Sequence, residues 1–166
     1  MRIKLAATCL SLALLVLHAP RAHAQGCEGK LANLMVYAGS YDTDALLNDP
    51  AVAAAIQELL GSERDHLFAN IAVRGSVDLI SCDLVLSGNA DHMGGEEDGI
   101  VSINVYSGSA AAAIHTAGRI DVYVTGGDYM SAPISIKDWI AVMDSAYRYR
   151  FDPPQSARVL APQGER

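Results

Sequence analysis

The sequence has no long apolar run after its N-terminus, and it has few positive charges. The longest uncharged apolar run spans residues 5–17, which is too short to cross a bilayer, and no later run approaches the roughly 18 residues that a span requires. We therefore expect no membrane span. Lys and Arg number 12 against 19 Asp and Glu, a formal net charge of −7. This balance disfavours binding to nucleic acid and to anionic lipid, and it attracts basic partners.

The N-terminal segment has the features of a secretory signal peptide. Arg2 and Lys4 precede the apolar run, and a motif of small residues ends at Ala24. We predict a signal peptide at residues 1–24 and an exported mature chain that begins at Gln25. Cleavage removes three basic residues and no acidic ones, so the net charge of the mature chain becomes −10. This acidity either keeps the domain in solution or attracts a basic partner.

Cysteine is scarce, with three residues in all, and Cys9 lies inside the predicted signal peptide. Two cysteines in an exported chain usually pair, so we predict a Cys27–Cys82 disulfide. In the chain-entropy model, closing a loop of about 56 residues adds at most roughly 4 kcal/mol. Lipidation of Cys27 is the alternative, although the residues before it lack the large aliphatic side chain of a lipid-attachment motif.

Motifs of enzymatic chemistry are also missing. The sequence contains no Gly-x-Ser-x-Gly nucleophile elbow, no phosphate-binding loop and no His-Glu-x-x-His. Of the histidines that remain after cleavage, His66 lies in a predicted helix and His115 in a predicted strand. Both are assigned structural or solvated roles. We therefore predict that the protein is not an enzyme.

Composition divides the mature chain into one domain, residues 25–150, and a tail, residues 151–166, whose Pro, Gln and Arg content is typical of a loose segment. The clearest helix covers residues 51–60. Its start is marked by the N-cap and first-position pair Asp49-Pro50, and its end by Gly61.

Weaker helical patterns cover residues 62–70 and 135–144, and between them the apolar residues recur with a period of two. The five predicted strands are 77–81, 83–87, 99–106, 110–116 and 119–125. Alternation with polar residues indicates one buried face, and the short turns favour antiparallel hairpins. We predict an α+β fold: a five-stranded antiparallel sheet with helices packed on one face.

The most unusual segment lies between the second and third predicted strands. It is longer than a hairpin requires and places His92 among four carboxylates, those of Asp91, Glu96, Glu97 and Asp98. A recognition loop, a solvated acidic turn and a metal site are the three interpretations. Zinc usually takes more His or Cys ligands, and the calcium-loop spacing is absent, so we predict no metal and no cofactor.

Several motifs occur in a recognisable order. A Leu-Asn-Asp-Pro-Ala-Val-x-x-Ala-Ile helix is followed by Leu84-Val-Leu-Ser-Gly88 with its loop, by Gly118-Arg-Ile-Asp-Val-Tyr123, and by a proline before Trp139. Over roughly residues 46–139, this order resembles the Ivy family, the exported bacterial inhibitors of vertebrate-type lysozyme. The family's loop motif Cys-Lys-Pro-His-Asp-Cys corresponds to Asn89-Ala-Asp-His-Met-Gly94. His92 therefore matches the family's inhibitory histidine, and both loop cysteines are replaced.

The resemblance implies a periplasmic inhibitor of a lysozyme-type peptidoglycan glycosidase that inserts the His92 loop into the active-site cleft. Its partner would be lysozyme or another basic peptidoglycan hydrolase, and the family includes homodimers. The alternative is an Ivy-like binding or immunity protein that has lost lysozyme inhibition and binds another lytic enzyme. The residues expected to contact the target are Asn89, Asp91, His92, Met93, Glu96 and Glu97.

Overall fold

The structure, a computed structural model, describes residues 26–144 and 152–163; the predicted signal peptide lies outside the described residues. Four α-helices and seven β-strands occur in this part of the chain. The helices are α1 (Thr43–Asn48), α2 (Pro50–Leu60), α3 (Arg64–Asn70) and α4 (Ile134–Met143), with 3-10 turns at Ala32–Tyr37, Gly61–Glu63 and Tyr129–Ser131. The strands are β1 (Val73–Arg74), β2 (Asp78–Ile80), β3 (Asp83–Asn89), β4 (Glu97–Asn104), β5 (Ala110–Thr116), β6 (Arg119–Val124) and β7 (Ala157–Leu160).

Helix α2 begins and ends where the sequence predicts. The Asp49 side chain accepts hydrogen bonds from the backbone N–H groups of Ala51 and Val52, at 2.9 and 3.4 Å, and Pro50 occupies the first helical position. Gly61 ends the helix with a φ of +53°, a left-handed conformation that glycine adopts without steric cost. The predicted helix is confirmed.

All strands belong to one sheet with the order β1-β3-β4-β5-β6-β7, in which β2 also pairs with β3. Every pairing is antiparallel except that of β6 with β7. The α+β class is confirmed, but the sheet has seven strands where five were predicted. The structure also differs from the expected loose tail, because Ala157–Leu160 forms β7. In this strand Val159 pairs with Val122. The strand is short and lies between Pro- and Gln-rich segments, so the sequence did not predict it.

Helices cover both faces of the sheet, so the prediction of one covered face is wrong. On β4, Val101 and Ile103 belong to the core shared with α2 and α3, whereas Ile100 packs in a second core with Ile136 and Ile140 of α4. The polar residue Ser102, between Val101 and Ile103, led to the wrong prediction. Ser102 is buried, and its hydroxyl lies 3.4 Å from that of Ser135, so it faces α4 and not solvent.

The predicted Cys27–Cys82 disulfide is present, with a Cα–Cα distance of 5.2 Å, and it uses the sulfur atom that lipidation of Cys27 would require. It lies at the end of the sheet where β4 finishes. There Val105 N–H donates to the Cys82 carbonyl at 2.8 Å, and Leu31 N–H donates to the Val105 carbonyl at 2.9 Å. The bridge therefore attaches the N-terminal segment to this end of β4. Within the described part of the chain, no helix is both long and apolar enough to cross a bilayer.

Candidate target-binding loop

The connection between β3 and β4, residues 90–96, places the predicted site residues on one surface loop. The His92 side chain is 90% exposed, and that of Asp91 is 73% exposed. Met93 and Glu96 are also exposed, while Asn89 and Glu97 are half-buried at the two ends of the loop. These six residues are brought together in space, and four of them, including His92, are exposed.

Backbone hydrogen bonds give the 90–96 loop a defined conformation. Met93 N–H donates to the Ala90 carbonyl at 3.0 Å, and the N–H groups of Glu96 and Glu97 donate to the Met93 carbonyl at 3.0 and 2.9 Å. Ala90 N–H donates to the Glu97 carbonyl at 2.9 Å, which closes the loop at its base. The loop is therefore ordered by its own backbone without a covalent cross-link.

His92 occupies the left-handed region, with a φ of +61°. This conformation costs a non-glycine residue about 1 kcal/mol or more, although His tolerates it better than most residues. Strain of this kind tends to collect at functional positions, where neighbouring contacts enforce it. Here the bond between Met93 N–H and the Ala90 carbonyl encloses His92 in a tight turn that directs its side chain outward.

Asp98 differs from the other carboxylates because it is buried beneath the loop. It is 6% exposed, and both carboxylate oxygens accept from Gly95 N–H, at 3.1 and 2.9 Å. His115, also 6% exposed, lies with its Nδ1 3.2 Å from the same carboxylate. The sequence analysis counted Asp98 among the carboxylates around His92. Its two-residue offset from buried Ile100 is the signal that places its side chain on the same covered face as Ile100.

Two neighbouring elements support the loop. Ala117, in the turn between β5 and β6, donates its N–H to the Glu96 carbonyl at 2.9 Å. On α3, Asn70 donates to the backbone carbonyls of Asp98 and His115, at 3.2 and 2.9 Å. His66 bridges Glu63 and Thr116, with both contacts at 3.3 Å, which agrees with its predicted structural role. The 90–96 loop therefore rests on the turn between β5 and β6, and α3 holds the adjacent ends of β4 and β5.

The exposed charges of the loop are acidic and do not converge on one point. His92 Nε2 lies 3.5 Å from the Asp91 carboxylate, and Glu96 extends into solvent. Asp98 is turned inward. Among the described residues, no three His, Cys, Asp or Glu side chains are arranged to hold a metal ion. The arrangement suits recognition of a basic surface more than coordination of a cation.

A separate groove of about 360 Å³ lies between α3 and the β6–β7 edge. Its charges are paired, because Arg158 donates two 3.0 Å bonds to the Asp121 carboxylate and Arg119 approaches the same group at 3.5 Å. The hydrogen bond and the attraction to Asp121 raise the pKa of Arg158. Burial, then the nearby negative charges of Glu63 and Asp121, raises the pKa of Tyr123 to about 12. These contacts hold β7 against β6.

Comparison with known families gives one match. A family model described as "Inhibitor of vertebrate lysozyme (Ivy)" matches residues 51–145, more than half of the chain. Comparisons with curated proteins and with solved structures gave no match. The matched segment contains α3, β1 to β6, the 90–96 loop and α4, so it includes most of the sheet and the loop on which the predicted site residues lie. The chain belongs to the Ivy family of lysozyme inhibitors.

Proposed function

We propose that this protein acts in the periplasm as an inhibitor of a lysozyme-type peptidoglycan glycosidase, and that the 90–96 loop enters the active-site cleft of its target. The observation that carries the proposal is the 90% exposure of the His92 side chain on an ordered loop, in a member of an inhibitor family. The role of the protein is to block catalysis by another protein, not to catalyse a reaction itself.

The chemistry of the target explains why an imidazole suits this task. Retaining glycosidases of the lysozyme type use two carboxyl groups about 5 Å apart, one protonated and one ionised. The two ring nitrogens of a histidine can donate to one carboxyl group and accept from or pair with the other. His92 would therefore satisfy both groups and occupy the position that the scissile sugar needs.

Charge complementarity supports the same partner. The mature chain is predicted to carry a net charge of −10, and Asp91 and Glu96 are exposed beside His92. Such a surface raises the rate of encounter with a basic hydrolase, an effect that weakens as salt is added. We expect the association rate to fall with ionic strength more steeply than the dissociation rate changes.

The loop also meets the requirement for rigidity. Ordering a flexible loop on binding costs roughly 0.5–1.5 kcal/mol for each side chain that becomes fixed. Asn89 and Gly94 replace the cysteines of the family motif, but the hydrogen bonds within the 90–96 loop already fix its path. Asn89 adds a 2.7 Å bond from its side-chain N–H to the Ala90 carbonyl. Inhibition is therefore feasible without a loop disulfide.

The test is turnover of a C-type lysozyme in the presence of the wild type, His92→Ala and a control, Ser107→Ala. Ser107 is exposed in the turn at the other end of β4. We expect the wild type and the control to inhibit equally, and His92→Ala to bind about 30-fold more weakly, as expected for a central contact residue. Absence of inhibition by the wild type would exclude C-type lysozyme as the target, and equal inhibition by His92→Ala would exclude the role of the imidazole.

A second candidate follows from the altered loop motif. Met93 stands where the family motif has Asp, and the two cysteines are absent, so the surface offered to the target differs from that of the family. A binding or immunity protein directed at another peptidoglycan-lytic enzyme would fit this change. Recovery of such an enzyme from periplasm by the wild type but not by His92→Ala, with C-type lysozyme unbound, would favour this candidate. A homodimer stays a prediction, which sedimentation would check.

A further inference from the structure

We infer that Asp98 is a positioning residue for target binding: its buried carboxylate holds the 90–96 loop in the conformation that presents His92. The inference rests on the proposed function, because it concerns how the same loop is prepared for its target. Asp98 lies on β4 beneath the loop, and its carboxylate bonds to Gly95 and His115, whereas the His92 side chain extends outward beside Asp91. Any influence on target binding therefore acts through the loop backbone.

The contact between the carboxylate and the loop is specific. Gly95 N–H donates to both oxygens of Asp98, at 3.1 and 2.9 Å. Gly95 has a φ of +87°, so the chain reverses there in a conformation open to glycine. A hydrogen bond to an ionised acceptor is roughly twice as strong as a neutral one, and a buried acceptor cannot replace it with water. The carboxylate therefore fixes the point at which the loop returns to the sheet.

Asp98 is held through both its side chain and its backbone. On β5, His115 lies opposite Asp98 in the strand register, with its Nδ1 3.2 Å from the carboxylate. On α3, Asn70 donates to the backbone carbonyls of both residues. Asp98 itself belongs to β4. Because β4, β5 and α3 are all packed in the core, the position of Asp98 is fixed by the fold and the loop adapts to it.

The chain offers a matched control at the other end of the sheet. Asp83 is also a buried carboxylate on a strand, 7% exposed, and it accepts a 2.7 Å bond from the Asn104 side chain. It pairs with Asn104, at the end of β3 and β4 opposite to the 90–96 loop. Replacing Asp83 therefore removes a buried charge of the same kind without touching the loop. If Asp98 only stabilised the fold, the two replacements would change amide exchange at Gly95 and the dissociation rate from the target equally.

The structure also suggests a disulfide that should hold the 90–96 loop in place when Asp98 is replaced. A Cβ atom built on Gly94 would lie 3.5 Å from Asn89 Cγ, and Gly94 is not in the left-handed region, so a side chain is tolerated there. The sulfur of a cysteine at position 89 takes the place of Asn89 Cγ, so these two positions are close enough in space for a disulfide to be tested. Asn89→Cys with Gly94→Cys, oxidised with glutathione disulfide, would close the loop covalently and make the Asp98 contact dispensable. Peptide mapping would verify the new bridge beside Cys27–Cys82.

The experiment compares Asp98→Asn, Asp83→Asn and the oxidised triple variant Asp98→Asn/Asn89→Cys/Gly94→Cys. The first readout is hydrogen exchange at the Gly95 amide in the free protein, and the second is the dissociation rate from C-type lysozyme. We expect Asp98→Asn to raise the exchange rate of the Gly95 amide and the dissociation rate about tenfold each, while the association rate changes less than threefold. Asp83→Asn should change neither. The reference for the triple variant is the oxidised double variant Asn89→Cys/Gly94→Cys, which carries the same two replacements in the loop, and the two should dissociate at equal rates until their bridges are reduced.

Unchanged exchange and dissociation in Asp98→Asn, or equal changes in Asp83→Asn, would overturn the inference. If the wild type does not bind lysozyme but Asp98→Asn still frees the Gly95 amide, the proposed target fails and the loop-holding role stands. If the wild type inhibits and Asp98→Asn behaves like it, the inference fails and the proposed function stands. Should Asp98→Asn not fold, His115→Gln carries the same expectation at about threefold, because the carboxylate remains without its imidazole.

Discussion

The two ends of β4 are held in different ways, and only one of them carries an exposed imidazole. At the Asn104 end, the Cys27–Cys82 disulfide attaches the N-terminal segment covalently. At the Asp98 end, the 90–96 loop is held by hydrogen bonds alone. We infer from this comparison that the disulfide contributes to global stability, whereas the order of the candidate binding loop depends on a local polar network.

At both ends of β4, a polar side chain of the strand accepts a hydrogen bond from a backbone N–H of the adjoining loop or turn. Asn104 Oδ1 accepts from the Ser107 N–H and hydroxyl, at 2.8 and 2.9 Å, much as the Asp98 carboxylate accepts from Gly95. The turn at the Asn104 end is short and exposes hydroxyl groups, while the 90–96 loop is longer and exposes His92. The difference in function therefore lies in the length and side chains of the loop and not in the way the strand anchors it.

Removal of the disulfide should have the largest effect on stability. Replacing Cys27 and Cys82 together by Ser should lower the free energy of unfolding by about 2–4 kcal/mol, because the unfolded chain regains the freedom of a long loop. Denaturant titration would measure the loss. Below the melting transition, affinity for the target should not change, since the bridge lies at the Asn104 end. A parallel loss of affinity in the folded variant would show that the two ends are coupled.

Replacing Gly99, where α3 lies close to the Asp98 end of β4, should have the next largest effect on stability. A Cβ on Gly99 would lie 2.8 Å from Ile71 Cγ2 and 3.0 Å from Leu67 Cδ1, so Gly99→Ala should destabilise the fold by about 1–3 kcal/mol. Gly75→Ala is the matched control, because nothing lies within 4 Å of its Cβ position. Thermal unfolding of both variants measures the contrast. Equal melting temperatures would contradict the packing described for α3.

Asn104→Ala tests whether the turn anchor at the other end matters only locally. The change removes the bond to Asp83 and the two bonds from Ser107. We expect a loss of about 1–2 kcal/mol, most of it from the part-buried bond to Asp83, because water replaces the two exposed bonds from Ser107. Unfolding in denaturant measures it. Inhibition by the folded variant should equal that of the wild type; weaker inhibition would mean that the Asn104 end also contributes to the target surface.

The smallest expected effect is the pH dependence of stability due to Tyr123, which lies on β6 and not on β4. Burial raises the pKa of Tyr123 to about 12, above the value of 10.0 expected for a free tyrosine. The neutral form is therefore favoured in the fold, and the associated stability is complete below pH 10 and is lost as the pH rises from 10 to 12. By pH 11 the loss should be on the order of 1 kcal/mol. Tyr123→Phe should flatten this part of the stability curve, and an unchanged slope would contradict the assignment.

Local patterns predicted the elements whose signals are contiguous in the sequence. The Asp49-Pro50 start of α2, the strand at Ala110–Thr116 and the exposed position of His92 all follow from neighbouring residues. The inward orientation of Asp98 was missed because β4 begins at Glu97, two residues before the predicted start, so the carboxylate belongs to the strand's alternation and not to the loop.

Features that depend on partners far along the chain were not accessible in this way. The burial of Ser102 depends on α4, more than thirty residues later, and α4 covers the face that alternation assigned to solvent. The strand Ala157–Leu160 exists because β6 offers a free edge to it, which its own composition does not reveal. The partnership of Asp98 with His115 likewise requires the β4–β5 register.

The central claim is that the 90–96 loop occupies the catalytic cleft of its target. Calorimetric titration of C-type lysozyme, with and without a chito-oligosaccharide that fills the cleft, tests it most directly. With the oligosaccharide at about 100 times its own dissociation constant, the account predicts an apparent affinity about a hundredfold weaker, because the two ligands exclude each other. An affinity unaffected by the oligosaccharide would place the contact outside the cleft and contradict the account.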